Sequence, residues 1–322
     1  MPLLNELPYE LLLFVAISLG LAFGSFLNVV IHRLPLGLSV VRPASRCPSC
    51  EKPIRGYDNI PVLSYLLLLG KSRCCKTKIS PRYPLVEALG GLTGFAVLQM
   101  RIMTLPGNVP AWLAALLFAL YLCLALGLIA AAFIDLEHML VPDAITLGGT
   151  ALGIVSAFVR PDVPFVHALV GAGVGFVMIW LPFDVLYRAI RGQPGMGLGD
   201  AKLTMLAGAW FGWPGAVFAL LAGAVQGTLI AMLVMITRGK IDEPEAVRKE
   251  REAMHAEVEA AEGEEQARLL AEYEADPIFY EPERGLGRAR IPFGPFLVLA
   301  LLQYLLFGAL IQEAVWQWLF VV

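Results

Sequence analysis

Two aspartates stand at the ends of long apolar segments, where a carboxylate needs an explanation. Asp135 closes one apolar run, and Asp200 opens another after Gly197 and Gly199. An acid at mid-bilayer costs roughly 2.5 to 3.5 kcal/mol on insertion scales, so such an acid is a candidate for function. Taken alone, Asp200 is better explained as a helix N-cap that accepts free backbone N–H groups. The presence of Asp135 in a similar setting makes a catalytic role for Asp200 the better explanation.

A pair of carboxyl groups that share one site can hydrolyse a peptide bond. Repulsion between like charges raises one pKa, so one group keeps a proton while the other deprotonates an attacking water. The protonated group polarises the scissile carbonyl and then helps the amine to leave. We expect Asp200, at a helix N-terminus, to be the ionised base and Asp135 to hold the proton. This peptidase chemistry requires no metal.

The residues near the aspartates are assigned supporting roles. Gly197 and Gly199 allow positive φ angles and a close approach of backbone or substrate to Asp200. Lys202 is predicted to pair with a carboxylate or a lipid phosphate. Asp143 is predicted to be the N-cap of the next helix.

Patterns that would indicate other chemistry are missing from the sequence. The chain has neither the H-E-x-x-H pattern of zinc proteases nor the G-x-S-x-G elbow of serine hydrolases. Glu137 and His138 are interpreted as loop residues rather than metal ligands. No nucleotide-binding fingerprint or nucleic-acid motif stands out, so no nucleic-acid partner is predicted.

The elements that must position these residues are membrane helices. The chain of 322 residues is 58% hydrophobic with a mean hydropathy of +0.70, well above the roughly 45 to 50% typical of soluble domains. We therefore predict an all-α polytopic membrane protein with about eight transmembrane helices and a small cysteine-containing cytoplasmic loop domain. The predicted spans are 11–31, 85–103, 111–133, 143–159, 164–187, 201–213, 215–237 and 292–318.

The basic residues predict how these spans are oriented. All but two of the 24 Lys and Arg residues fall in segments on one side, and the exceptions are Arg101 and Arg160. The positive-inside rule makes that side cytoplasmic. Both termini are then external, and both aspartates lie at the cytoplasmic face of the membrane.

Four of the five cysteines lie in the basic segment 32–84, as Cys47, Cys50, Cys74 and Cys75. So local a cluster indicates a metal site or a disulfide pair, and a segment this short needs a cross-link to stay folded. Cytoplasmic thiols stay reduced, which favours zinc over a disulfide.

The segment 238–291 is charged rather than apolar, and Glu, Ala and Arg at helical spacing predict a solvated helix pair there. A tolerated loop insertion is its simpler interpretation, and a docking arm for a partner is the alternative.

Seven blocks spread along the chain resemble the type IV prepilin peptidases. They are GSFLNVVIHRLP (24–35), CPSC (47–50), NIPVLSYL (59–66), ISPRYPLVEALGG (79–91), the stretch 135–143, GMGLGDAKL (195–203) and IPFGPFL (291–297). The resemblance implies an inner-membrane aspartic peptidase that cuts the basic leader from type IV prepilins or type II secretion pseudopilins. It also implies N-methylation of the new first residue with S-adenosylmethionine. Pilus or secretion assembly proteins are further candidate partners.

Carried over by position, Asp135 and Asp200 match the catalytic pair of that family. The cysteine loop matches the region associated with methyl transfer. The family usually has two C-x-x-C pairs, but alignment on ISPRYP puts Ser72 where the third cysteine belongs. This departure puts four-sulfur zinc coordination in doubt, with Cys74 as the candidate replacement. Glu87 is a candidate contact for the methyl donor by position and charge.

The resemblance also suggests how the chain is divided. The predicted parts are a first helix (1–31), the cysteine domain (32–84), a peptidase core (85–237), the charged insert (238–291) and a last helix (292–322). The rival interpretation is a proton-coupled transporter that uses the two aspartates as a relay. That interpretation leaves the cysteine domain unexplained.

Overall fold

The computed structural model describes residues 2–47, 49–191, 196–238, 245–274, 279 and 292–320, and these parts are helical with no β-strand. Within them, six helices are long and apolar enough to cross a membrane. The helices are α1 (Tyr9–Arg33), α2 (Leu63–Leu67), α3 (Arg82–Val97), α4 (Ala111–His138), α5 (Asp143–Ser156), α6 (Phe165–Ile179), α7 (Tyr187–Arg191), α8 (Leu198–Arg238), α9 (Glu245–Ala260), α10 (Gly263–Glu274) and α11 (Gly294–Phe320). The predicted all-α membrane fold is confirmed.

The predicted count of about eight spans differs from six for two physical reasons. Helix α5 is apolar but has only 14 residues, which is shorter than the ~20 residues of a typical membrane-spanning helix, so length alone leaves it out of the six. It nevertheless runs beside the first half of α8, from the Asp143–Lys202 pair at one end to the Arg160–Trp210 contact at the other. Helix α8 has 41 residues and contains a non-helical residue, Gly212, with φ of 70°. The sequence predicted a turn near Pro214, and the break lies two residues before it.

Helix α11 indicates that α8 turns back on itself at this break. Its residue Phe296 contacts Gly227 in the second half of α8. Farther along α11, Tyr304 packs against Phe211 and Phe218, which flank the break. The two halves of α8 therefore lie side by side, and together they account for two of the predicted spans.

A buried arginine stabilises the broken end of the first half of α8. Because Pro214 has no N–H, the carbonyl of Trp210 has no partner within the helix. Arg160 donates to that carbonyl at 2.7 Å and to the carbonyl of Ala209 at 3.2 Å. Its guanidinium also lies over the Trp210 ring, 4.7 Å from the centroid. Arg160 is only 4% exposed, and it replaces the hydrogen bonds lost at the break.

Glycines allow two pairs of helices to pack backbone against backbone. In α6, a Cβ atom added at Gly171 would collide with the carbonyl of Gly208 in α8, and one added at Gly175 would collide with that of Thr204. The pair α1 and α3 makes the same kind of contact through their glycines, Gly20 and Gly24 against Gly90 and Gly94. Small residues spaced by four are the usual device for close packing of membrane helices. The first half of α8, which carries Asp200, is thereby held closely against α6.

The charged insert is a helix pair, as predicted, over the described residues 245–274. Helices α9 and α10 pack as a hairpin, and α9 also contacts α4. The buried face of α9 carries Val247 and Val258, while His255 packs on Phe279 with ring centroids 4.2 Å apart. The remainder of the predicted insert, 239–244, 275–278 and 280–291, lies outside the described residues.

Candidate active site

Asp135 lies in the last turn of α4 and is 6% exposed. The helix ends three residues later, where Met139 adopts a left-handed conformation and donates its N–H to the Asp135 carbonyl at 2.9 Å. The chain then passes through Pro142 into α5. Asp135 therefore lies on rigid helical backbone just before the chain turns away.

Asp200 lies in the first turn of α8, which begins at Leu198. Its backbone N–H donates to the carbonyl of Gly197 at 3.2 Å. The interpretation of Asp200 as the N-cap residue is wrong by position, because two helical residues precede it. The carboxylate still lies within the first turn, where the helix dipole favours negative charge. Gly195, the start of the glycine-rich block, lies outside the described residues.

The two carboxyl groups come together although 65 positions separate them in the sequence numbering. They are close enough to interact electrostatically. The N-terminus of α11 completes the site, since the backbone of Gly294 is directed at the Asp135 carboxyl. A Cβ atom at position 294 would collide with Asp135 Oδ2.

Gly294 is a site residue that the sequence analysis did not single out. Its block, IPFGPFL, was recognised only as part of the resemblance, and Ile291 at its start lies outside the described residues. The signal that could have identified it is a glycine at the start of an apolar helix, where a carboxyl group packs against the backbone.

An apolar core lies beneath the aspartates. Leu128 and Ala131 of α4, Leu203 and Leu206 of α8 and Leu297 of α11 belong to one buried cluster. This packing fixes the relative positions of the three helices that meet at the site.

The glycines before Asp200 differ from the prediction. Positive φ angles occur at other glycines of the described chain, and neither Gly197 nor Gly199 has one. A different neighbour approaches Gly199, where an added Cβ would lie 3.2 Å from the side chain of Val141. For Gly197, the nearest such atom is the nitrogen of Gly199 at 3.9 Å. Gly199 therefore lets the α4–α5 connection pack against the start of α8.

An ion pair joins α5 to α8 next to the aspartates. Lys202 Nζ lies 2.5 Å from Asp143 Oδ1, which confirms that Lys202 pairs with a carboxylate. The prediction that Asp143 is an N-cap is wrong. Pro142 occupies the N-cap position, Asp143 is the first helical residue, and its side chain makes no capping hydrogen bond. The Asp143 carboxylate instead pairs with Lys202.

Glu137 and His138, which were interpreted as loop residues, belong to the last turn of α4. Glu137 forms an ion pair with Arg82 at the start of α3. The Arg82 guanidinium also lies over the Phe133 ring, 5.5 Å from its centroid. This contact joins the α4 end that carries Asp135 to the end of the cysteine domain.

The four clustered cysteines lie on two turns that repeat the same backbone geometry. In the first turn, Cys47 N donates to Lys52 O, and in the second, Ser72 N donates to Thr77 O. A second backbone hydrogen bond also matches, because Glu51 N donates to Cys47 O in the first turn and Lys76 N donates to Ser72 O in the second. Ser72 is therefore the structural equivalent of Cys47, and Cys75 is the equivalent of Cys50.

The four thiols converge despite the serine. Their Sγ atoms all lie within 4.8 Å of one another, with 3.6 Å between Cys47 and Cys75 and 3.2 Å between Cys50 and Cys74. Sulfur ligands at about 2.3 Å from zinc stand about 3.8 Å apart in a tetrahedron. Cys74, which has no cysteine counterpart in the first turn, supplies the fourth sulfur.

Hydroxyl groups around Cys75 favour its thiolate form. Ser72 Oγ lies 3.1 Å and Thr77 Oγ1 lies 3.2 Å from Cys75 Sγ. These contacts, with that of Ser72 the largest, lower the pKa of Cys75 to about 5. All five cysteines of the chain are free thiols, and thiolates are the form that binds metal.

Glu87 lies in the second turn of α3 and connects three parts of the chain. Its Oε1 accepts a hydrogen bond from Ser25 Oγ of α1 at 2.8 Å, and its Oε2 accepts one from the backbone N–H of Val62 at 2.6 Å. It is therefore not an isolated helix-end acid.

Comparisons with known proteins match this architecture. Residues 18–101 match the bacterial peptidase A24 N-terminal domain. Residues 120–232, which include both aspartates, match the type IV leader peptidase family. No solved structure matches the chain.

The relatives share one description, prepilin leader peptidase/N-methyltransferase. The protein from Klebsiella pneumoniae is 43% identical over 200 residues, which cover 60% of this chain and 82% of the relative. That from Pseudomonas putida is 38% identical over 246 residues, which cover 70% and 81%. That from Pseudomonas aeruginosa is 36% identical over 264 residues, which cover 74% and 87%.

The fold and these matches together indicate a multi-pass inner-membrane enzyme with two acids at one end of its helix bundle. The chain belongs to the type IV leader peptidase family. This membership favours an enzyme over the transporter alternative.

Proposed function

We propose that this chain is an aspartic endopeptidase that removes the basic leader of type IV prepilins or type II secretion pseudopilins. The observation that carries the proposal is the convergence of Asp135 and Asp200 next to the backbone of Gly294. The relatives' description supplies the substrate class.

The two acids divide the work of hydrolysis. Two negative charges this close repel each other, so the pair shares a proton. The ionised member of the pair deprotonates the attacking water, and the protonated member polarises the scissile carbonyl and protonates the departing amine. The first turn of α8 favours the ionised form of Asp200, and the hydrogen bond from the Gly294 backbone favours that of Asp135. The assignment of the base to Asp200 therefore stays a prediction. No metal takes part in this step.

The substrate geometry follows from the position of the pair. A prepilin has an apolar helix in the bilayer and a basic leader in the cytoplasm, so its scissile bond lies near the interface. By the positive-inside rule, the basic residues of 32–84, 188–202 and 238–290 support a cytoplasmic face for this end of the bundle and external termini. The parts 1–31, 32–84, 85–237, 238–291 and 292–322 then act as first helix, cysteine domain, peptidase core, insert and last helix.

Cleavage tests this proposal directly. The purified enzyme should cut a prepilin at one bond, located by mass spectrometry, and Asp135→Asn and Asp200→Asn should each abolish the cut. Undiminished cleavage by either variant would show that the aspartate pair is not the catalytic site.

We infer a second activity, N-methylation of the new N-terminal residue, because the relatives' description includes it. S-adenosylmethionine would supply the methyl group. The cysteine domain, which the N-terminal family model covers, is the candidate region, and Glu87 is its candidate donor contact. Labelled donor should transfer its methyl group to processed pilin. Intact cleavage without transfer would leave a peptidase alone.

Zinc is the metal that the cysteine cluster would hold, through Cys47, Cys50, Cys75 and Cys74. Four sulfurs at near-tetrahedral spacing suit this ion. Its role would be structural, because a closed four-sulfur site leaves no open position for a substrate.

A further inference from the structure

A short segment of the cysteine domain buries a polar side chain and exposes its apolar side chains, which is the opposite of what is expected for a segment surrounded by water. Helix α2 turns Ser64 inward, where it is 9% exposed. The large apolar side chains of the segment face outward, and these are Ile60, Leu63, Leu66, Leu67 and Leu69. Leu67 is 73% and Leu69 85% exposed. A contiguous apolar patch of this kind marks an interaction surface.

The depth of this segment along the helix bundle is fixed by hydrogen bonds. The N–H of Val62, just before α2, donates to Glu87 Oε2, whose other oxygen binds Ser25. Ser25 lies eight residues before Arg33, where α1 ends, a rise of ~12 Å. The segment therefore lies beside the membrane-spanning parts of α1 and α3 rather than beyond their ends.

The backbone of the segment satisfies its own polar groups, as an environment without water requires. Ile60 N donates to Ser64 Oγ at 3.0 Å, and Ser64 Oγ donates to the carbonyl of Tyr57 at 3.1 Å. The turn that follows α2 is closed by Gly70 N, which donates to Tyr65 O at 2.9 Å. Side chains and turns thus replace water as partners.

The surrounding charge suits the surface of a bilayer with anionic lipids. Residues 32–84 contain ten Lys and Arg residues but two acidic ones, Glu51 and Asp58. Arg55 and Lys71 flank the apolar segment on either side. Basic residues next to a membrane-inserted segment attract anionic headgroups.

We propose that the segment 60–69 is a membrane anchor that inserts its leucines among the acyl chains of the adjacent leaflet. The lipid surface is continuous with the exposed apolar faces of α1 and α3, against which the segment is bonded. The anchor holds the cysteine domain flat on the membrane beside the helix bundle. The inference goes beyond the proposed catalysis and does not depend on it.

Lipid-depth quenching tests the proposal. A fluorescent amino acid is incorporated at position 67 of the full chain, which is reconstituted in vesicles of phosphatidylethanolamine and phosphatidylglycerol. One vesicle set carries a nitroxide high on the acyl chain, and iodide probes exposure to water. Position 14, where Phe14 of α1 is 70% exposed, serves as the membrane control, and position 52, where Lys52 is exposed, serves as the aqueous control.

The proposal predicts that the probe at position 67 loses intensity to the nitroxide lipid, as at position 14, and resists iodide. The probe at position 67 should also emit at a shorter wavelength than the probe at position 52. Quenching by iodide without quenching by lipid would overturn the proposal. Protection from both quenchers would also overturn it, because a protein or a second copy would then cover the segment. Leu67 is largely exposed, so the replacement requires no repacking.

Discussion

At the scale of single residues, the cysteine cluster reveals a changed ligand position. Ser72 occupies the place that a cysteine occupies in the matching turn, and its hydroxyl contacts Cys75 instead. Cys74 lies two residues farther on and reaches Cys50 at 3.2 Å. The cluster thus keeps four sulfurs although the second C-x-x-C pair is lost.

Replacing Cys74 tests this changed position. We expect Cys74→Ser to weaken zinc binding by more than about 100-fold, because even outer-shell partners are worth about 10- to 100-fold. The double variant Cys74→Ser with Ser72→Cys should recover binding, since Ser72 already stands at a ligand position. Zinc content per protein and the absorption of cobalt–thiolate bonds measure metal binding in the single and the double variant. Full zinc content in the single variant would show that Cys74 is not a ligand.

At the scale of elements, the first half of α8 is fixed at both ends. Its beginning carries Asp200 and the Lys202 pair, its middle packs against the glycines of α6, and Arg160 binds the carbonyls at its broken end. Small displacements of this short helix would separate the two carboxyl groups.

The glycine contact gives one prediction. Gly175→Ala places a methyl group against the carbonyl of Thr204, one turn after Asp200. We expect it to destabilise the protein by about 1 to 3 kcal/mol, as overpacking usually does, and to slow cleavage. Gly173→Ala, which meets no atom within 4 Å, is the matched control and should be neutral or slightly stabilising. Thermal unfolding in detergent measures both, and equal midpoints would contradict the packing argument.

The buried arginine gives another prediction. Arg160→Met leaves the carbonyls of Ala209 and Trp210 without a donor, at a cost of about 1 to 3 kcal/mol for each buried group. Arg188→Met removes an exposed pair with Asp184 and should cost less than about 1 kcal/mol. A similar loss of thermal stability in the two variants would refute the role of Arg160 at the helix break.

The sequence could predict apolar elements but not the partners that distant segments provide. Asp143 has the residue type of a cap, yet it is the first residue of α5, and Lys202, far along the chain, binds its carboxylate. Glu137 follows the apolar run and was assigned to a loop. In the structure α4 extends through His138, and Glu137 in its last turn forms an ion pair with Arg82. The break in α8 was predictable within two residues, because Pro214 cannot donate to the helix.

At the scale of the whole molecule, two family models divide the chain as the packing does. The N-terminal match, 18–101, contains the close α1–α3 pair and the cysteine domain. The second match, 120–232, contains both aspartates, and α11 adds Gly294 from beyond it. The site is therefore assembled from helices far apart in sequence. The contact of Gly294 with Asp135 was not predicted from the sequence, because it exists only once α11 meets α4.

The most direct test of the central claim compares single and double variants of the aspartate pair. General acid–base groups contribute about 10²- to 10⁴-fold each, so Asp135→Asn and Asp200→Asn should each slow prepilin cleavage by at least that range. Because the acids act as one unit, the double variant should be no slower than either single variant. Asp143→Asn, which alters a neighbouring acid, should keep most of the activity. Near-normal cleavage by either single variant, or a multiplied loss in the double variant, would contradict a catalytic pair.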